Sequence, residues 1–208
     1  MKLIIFGSSG TVGRQLLLQA LQSGYSVTAF TRSKERLSDI MHPHLRIVEG
    51  DVLNEKDVLL NMKGHDAVLC ALGDGRKGIV RSQGTKNILK AMKEAGIDRF
   101  VCQTTLGAGD SRGNLNFFWK HIMFGWFLKE AYRDHELQEE HILQSKLNWT
   151  IVRPGAFTNG NVTGNYQHGF AGNEKNLKLK ISRADLADFM LKQLNTDEYS
   201  RKAASLSY

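Results

Sequence analysis

The stretch Lys2-Leu3-Ile4-Ile5-Phe6-Gly7-Ser8-Ser9-Gly10-Thr11-Val12-Gly13-Arg14-Gln15-Leu16-Leu17 decides how this chain folds. Lys2 to Phe6 is a short run of strand formers, and from Val12 the apolar residues Leu16, Leu17, Ala20 and Leu21 return at helical spacing. The run predicts a strand over Lys2–Phe6 and a helix over Thr11–Ser23, with Gly7, Gly10 and Gly13 in the turn between them. Missing Cβ atoms let such a turn close tightly, let the backbone approach a pyrophosphate, and let the helix pack against the sheet. The helix N-terminus then offers free N–H groups and positive dipole potential to the phosphates. Gly7, Ser9, Gly10, Thr11, Val12 and Gly13 are therefore the expected core of a dinucleotide site.

The same switch between strand and helix patterns repeats down the chain. Further strands are expected at Ser26–Phe30, Arg46–Glu49, Ala67–Ala71, Arg99–Gln103 and Thr150–Val152. Helices are expected at Glu35–Asp39, Glu55–Met62, Ile79–Ala95, an amphipathic segment ending near Ser145, and Arg183–Asn195. Gly24, Gly64 and Gly96 each fall just past a helix and before a strand, where a left-handed cap is wanted. Alternating elements of this kind imply an α/β fold: a Rossmann-type doubly wound parallel sheet, three layers thick. With 208 residues and no linker or repeat, one domain over 1–208 is expected, and Asn159–Asn173 reads as a long loop.

Composition narrows the function classes. The 28 Lys and Arg outnumber the 21 Asp and Glu, but they are scattered and form no aromatic-interleaved stripe, so no nucleic-acid partner is expected. Cys70 and Cys102 lie in apolar strand-like runs and read as inert core thiols. Without a CxxC or Cys/His cluster no metal site is expected. The absence of a disulfide framework, of a leader before the first strand and of a spanning-length apolar run points to a cytoplasmic protein without a membrane partner.

Strand ends supply the rest of the candidate site. The second strand runs into Thr31-Arg32-Ser33, with no acid to hold ribose hydroxyls. A guanidinium at Arg32 would pair a 2′-phosphate bidentately and favour NADP(H) over NAD. A solvated loop arginine is the competing reading. Asp51 and Val52 end the third strand at the adenine position, with capping of the next helix an equal alternative for Asp51. Ala71, Leu72 and Gly73 end the fourth, where small residues let the backbone pass close to ribose and pyrophosphate.

The motifs FGSSGTVG, FTRSKERL, VEGDVLN, AVLCALG, QGTKNILKAMKEAGIDRFV, LNWTIVRPG, ISRADLADFML and LNTDEY together resemble the atypical short-chain dehydrogenase/reductases, in particular the NAD(P)H-binding family that includes biliverdin reductase B (flavin reductase) and the wider NmrA-like group. That resemblance implies hydride transfer from NADPH to a flavin or a similar planar, conjugated small molecule. It places Thr104 and Thr105 near the nicotinamide and Pro154-Gly155-Ala156 on the opposite wall. Thr105 is the candidate catalytic residue, able to hydrogen-bond the carboxamide or an acceptor heteroatom; a strand-end threonine bonded to backbone is the other reading.

The sequence departs from its relatives in three places. No tyrosine carries a lysine four residues on; Tyr132 is followed by Glu136, which disfavours a phenolate and with it alcohol/ketone chemistry. The vertebrate biliverdin reductases carry a histidine after the matched proline and another on the preceding helix; here those positions align with Gly155 and Glu136, and the nearby His135 and His141 read as a solvated helix face. The segment Phe117–Leu128 is dense in aromatic residues: core packing ranks first for it, ahead of a substrate wall or a homodimer face. Monomer and homodimer stay open. An NADPH-dependent reductase leads over a non-catalytic NmrA-like NADP(H) sensor that binds a protein partner.

Overall fold

The computed structural model describes residues 1–208. Its strands are β1 (Lys2–Phe6), β2 (Ser26–Thr31), β3 (Leu45–Glu49), β4 (Ala67–Cys70), β5 (Arg99–Gln103), β6 (Asn148–Pro154), β7 (Ala156–Thr158), β8 (Gln167–His168), β9 (Lys180–Ser182) and β10 (Lys202–Ser207). The α-helices are α1 (Thr11–Gln22), α2 (Glu55–Leu60), α3 (Val80–Ala95), α4 (Lys129–Gln144) and α5 (Arg183–Lys192). Eight strands form one sheet in the order β3-β2-β1-β4-β5-β6-β10-β8; every pairing is parallel except β10 with β8. The chain leaves β1 toward β2 on one side and returns to β4 on the other, so a crevice opens at the carboxyl ends of β1 and β4, where doubly wound sheets bind ligands.

Both faces of the sheet are covered, which is why the strands read as near-continuous apolar runs. Leu16, Leu17 and Ala20 of α1 and Leu186, Phe189 and Met190 of α5 pack on one face with Leu3, Ile5 and Leu69. Val58, Ile88, Met92 and Ile142 from the α2–α3–α4 side pack on the other with Ile4, Phe6, Val68 and Phe100. Three layers result, as the alternation predicts. Gly24, Gly64 and Gly96 all take positive φ at the expected helix-to-strand turns.

Two expectations need correction. The short helix expected at Glu35–Asp39 is a 3-10 turn over Lys34–Leu37, too brief for an α-helix to propagate. Four strands have no counterpart in the sequence reading: β10 and β8 at the far edge of the sheet, and β7 and β9, which pair with each other in a separate two-stranded sheet. Lys-Ala-Ala-Ser-Leu-Ser in β10 lacks β-branched and aromatic residues; it is a strand because it pairs with β6 from Lys202↔Thr150 to Leu206↔Pro154, burying Ala204 and Leu206 toward α1 and α5.

Candidate functional site

The glycine turn sits at the mouth of the crevice. Gly7 takes φ +80, its carbonyl accepts the Gly10 N–H at 2.9 Å, and a side chain on Gly13 would overlap that same carbonyl. The helix behind it, α1, has no side-chain cap at Gly10 and no acid in its first turn, so its dipole and leading N–H groups are uncompensated. Ser8 ties the turn to β2 through a hydroxyl bond to the Phe30 carbonyl at 2.9 Å, and Thr31 donates to Ser9 Oγ at 3.0 Å.

A trench of about 180 Å³ runs from here across the strand ends. Gly7, Ser9, Gly10, Thr11, Val12, Arg32, Asp51, Val52, Ala71, Leu72 and Gly73 all line it, while Gly13 lies beneath as the contact that seats the helix. The sequence reading missed Arg36, which lines the same wall as Arg32 from the 3-10 turn; Arg14 holds that turn by pairing with Asp39 and donating to the Arg36 carbonyl at 3.3 Å. Asp51 does not cap α2. Asn54 does, accepting from Lys56 N, and Asp51 instead accepts from Leu53 N at 2.9 Å while lining the trench.

The trench opens into a second cleft of about 440 Å³ between the ends of β5 and β6 and the segment after residue 105. Thr104, Thr105, Pro154, Gly155 and Ala156 line it, and Gln103 and Phe157 stand at the joint, lining both spaces. The Oε1 of Gln103, closed off from solvent, has no hydrogen-bond partner. Arg183, at the start of α5, holds its guanidinium 5.4 Å from the centre of the Phe157 ring and donates to the Thr158 carbonyl at 3.1 Å. Gly155 lies against β9: a Cβ there would meet the Leu179 carbonyl carbon at 2.6 Å, so no histidine could occupy the position without moving that strand.

The two threonines differ. Thr104 is buried and gives its hydroxyl to Glu139 Oε1 at 2.7 Å, so it acts as a post for the wall. Glu139 also takes both Arg153 Nε, at 3.0 Å, and Nη2, at 2.7 Å, and Arg153 reaches Asp110 as well. Burial works against the Arg153 charge, but Glu139 and Asp110 outweigh it and raise the pKa, so the guanidinium stays charged. Thr105 is freer, with only a long 3.4 Å contact to the Leu106 carbonyl. Tyr132 is buried and donates to the Gly107 carbonyl at 2.8 Å; burial and Glu136 push its pKa up, in line with the absence of a phenolate.

His135 is not on a solvated face. It lines the cleft, half-buried, while Glu136 is exposed. The Gln138 carboxamide turns its Nε2 to Thr85 Oγ1 at 3.0 Å and Cys102 Sγ at 3.2 Å, leaving Oε1 to accept the His135 Nδ1–H at 3.0 Å. Burial, helped by the Arg81 charge, lowers the His135 pKa to about 3. At neutral pH the ring is uncharged with Nδ1 protonated, and Nε2 is an acceptor.

The aromatic segment packs as core only in part: Trp119 and Phe124 sit half-buried against the small cluster of Leu106, Leu115 and Leu179, as does Phe170 of the long loop. Phe118–Phe127 winds as a π-helix with no buried residue. Trp119 and Phe124 turn into the cleft, Phe124 against Tyr132 at 4.8 Å between ring centres, and the remaining rings face outward.

A parallel doubly wound sheet with an uncapped, glycine-turned helix at its switch point defines the dinucleotide-binding class of α/β protein. Residues 7–197 match the NAD(P)H-binding family, and the chain belongs to that family. An uncharacterized chloroplastic protein of Arabidopsis thaliana is 33% identical over 178 residues, which cover 79% of this chain but only 62% of that protein. An anaerobillin reductase from Escherichia coli O157:H7 superposes with TM-score 0.85 at 23% identity, covering 100% of this chain and 97% of that one. A short-chain dehydrogenase/reductase from Veillonella parvula in complex with NADP gives TM-score 0.84 at 16% identity, covering 100% and 94%. No helix is long and apolar enough to cross a membrane.

Proposed function

We propose that this protein is an NADPH-dependent reductase that passes hydride to a planar, conjugated small molecule of the flavin or linear-tetrapyrrole kind. The observation that carries this reading is the junction at Gln103 and Phe157, where a phosphate-ready trench runs directly into an aromatic-walled cleft of about 440 Å³. The cofactor fits the residues present: Gly7 and Gly13 leave no room for a Cβ, the α1 N-terminus is uncapped, and Arg32 and Arg36 sit where a 2′-phosphate would lie. Bound NADPH supplies the hydride.

The chain's own residues bind, orient and exclude water. The α1 turn holds the pyrophosphate, and Asp51 and Val52 flank the adenine. Ala71, Leu72 and Gly73 let the backbone pass the ribose, and the Gln103 carboxamide with Thr105 meets the nicotinamide amide. Pro154, Gly155 and Ala156 form one wall of the acceptor site and Trp119 with Phe124 the other, a slot for stacking a flat ring system. His135 Nε2 accepts an acceptor N–H or O–H, which an isoalloxazine or a pyrrole provides. The anaerobillin reductase with the same fold supports a tetrapyrrole among the acceptors. A reducing, cytoplasm-like setting agrees with two buried free cysteines.

A non-catalytic sensor is the second reading, favoured by the outward-facing rings of the π-helix. NADPH oxidation with FMN, FAD, riboflavin, biliverdin and a quinone panel, run beside a direct NADPH titration, separates the two. Turnover with any acceptor supports the reductase. Tight binding without turnover on the whole panel refutes it in favour of the sensor.

A further inference from the structure

Residues 117–127 divide their rings between two surroundings. Trp119 and Phe124 belong to the cleft, whereas Trp126 is 76% exposed, Phe117 72%, Phe118 50%, Phe127 44% and Ile122 39%. Five large apolar side chains exposed within eleven residues are a local concentration of water-facing apolar surface of the kind that marks an interaction site. The charges around it choose the partner. From residue 111 to residue 129 there is no Asp or Glu, while Arg112, Lys120 and Lys129 are present with His121. Arg76, from the loop after β4, places its guanidinium 5.2 Å from the centre of the Phe127 ring.

A second copy of this chain is a poor occupant, because a two-fold contact would set the same cations against each other. A surface that accepts aromatic rings at a shallow depth and offers phosphate oxygens to Lys and Arg at the same level is an anionic bilayer. We propose that the outward face of residues 117–127 docks the protein reversibly on anionic lipid headgroups, with Phe117 and Trp126 as anchors and Lys120, Lys129 and Arg76 as the phosphate contacts. This departs from the expectation of no membrane partner, which rested on the lack of a spanning segment; surface docking needs none. The proposal does not depend on the acceptor or on turnover.

The test is co-sedimentation of the full chain with phosphatidylcholine vesicles, with and without phosphatidylglycerol, at low and high salt. Binding is expected on the anionic vesicles only, weakening as salt screens the charges, with apparent affinity falling at least about tenfold in the double variant Phe117→Ser/Trp126→Ser. An unchanged NADPH titration shows that the variant is folded. As a second readout, brominated phosphatidylglycerol should quench tryptophan emission in the parent chain and much less in Trp126→Phe. Absence of binding to anionic vesicles, or equal binding by the double variant, would overturn the proposal. So would a concentration-dependent dimer that the double variant abolishes, which would give the patch to a second copy.

Discussion

Removing the Arg32 guanidinium should weaken NADPH and spare NADH, and the structure sets the size of the effect. Arg32 and Arg36 are both exposed on the trench wall, and neither takes part in any of the chain's ion pairs, so both are available to a 2′-phosphate. A hydrogen bond to a charged group contributes about 1.5–3 kcal/mol, and solvent exposure puts each arginine at the low end. Arg32→Ala should therefore raise the NADPH Kd roughly tenfold, and Arg32→Ala/Arg36→Ala about a hundredfold if the two act independently. Arg32→Lys keeps the charge but loses the planar fork, and should fall between parent and alanine. Titration calorimetry with NADPH and NADH at one fixed ionic strength reads all of this. Equal losses for both cofactors would refute the phosphate assignment, as would a double variant that binds NADPH normally.

Four further outcomes follow from the cleft and the walls that support it. His135→Leu should leave NADPH affinity unchanged while raising the acceptor KM, measured by steady-state kinetics; a parallel loss of NADPH binding would remove His135 from the acceptor side. Because the folded pKa of His135 is about 3, below the ordinary 6.5, the unfolded chain binds the extra proton first, so stability falls as pH drops below about 6.5. Between pH 6.5 and 5 the loss is at most about 2 kcal/mol, and it should vanish from denaturant midpoints of His135→Leu. Gly155→Ala should cost about 1–3 kcal/mol by driving a methyl into the Leu179 backbone, seen as a lower urea midpoint with unchanged slope. Glu139→Ala strands the buried Arg153 charge and should cost about 3–5 kcal/mol, whereas Thr104→Val should cost about 1. Similar losses for the two would show that Glu139 does not hold Arg153 in the way the distances imply.

The trench was legible in the sequence because its parts are backbone requirements carried by residue type. Gly7 and Gly13 are fixed by contacts that only a missing Cβ permits, and their spacing sits between a strand pattern and a helix pattern. The strand ends carrying Arg32, Asp51 and Ala71-Leu72-Gly73 follow once the alternation is seen. Arg36 escaped because it reaches the wall from a 3-10 turn, which has no periodicity to read. Phe157 escaped for a similar reason: β7 exists only through its pairing with β9, from Ala156↔Lys180 to Thr158↔Ser182, and a three-residue strand leaves no pattern. His135 and Gln103 became visible only when distant elements met, since it is Gln138 that fixes the histidine tautomer and the end of β5 that places the glutamine at the joint.

The aromatic segment shows why composition misleads there. Ring density favours burial as a general rule, yet burial needs a surface to pack against, and both faces of the sheet are already covered by α1 with α5 and by α2 with α3 and α4. A sixth apolar helix has no sheet face left to it. The segment therefore lies over the cleft, where it covers with two rings and exposes the others. The two spaces differ in what builds them: the trench is lined by strand ends within the sheet, whereas one wall of the cleft comes from a π-helix outside it. If the trench holds the dinucleotide and the cleft its acceptor, substitutions at Trp119 or Phe124 should change the acceptor KM with NADPH affinity unchanged, while Arg32→Ala and Arg36→Ala weaken NADPH and spare NADH.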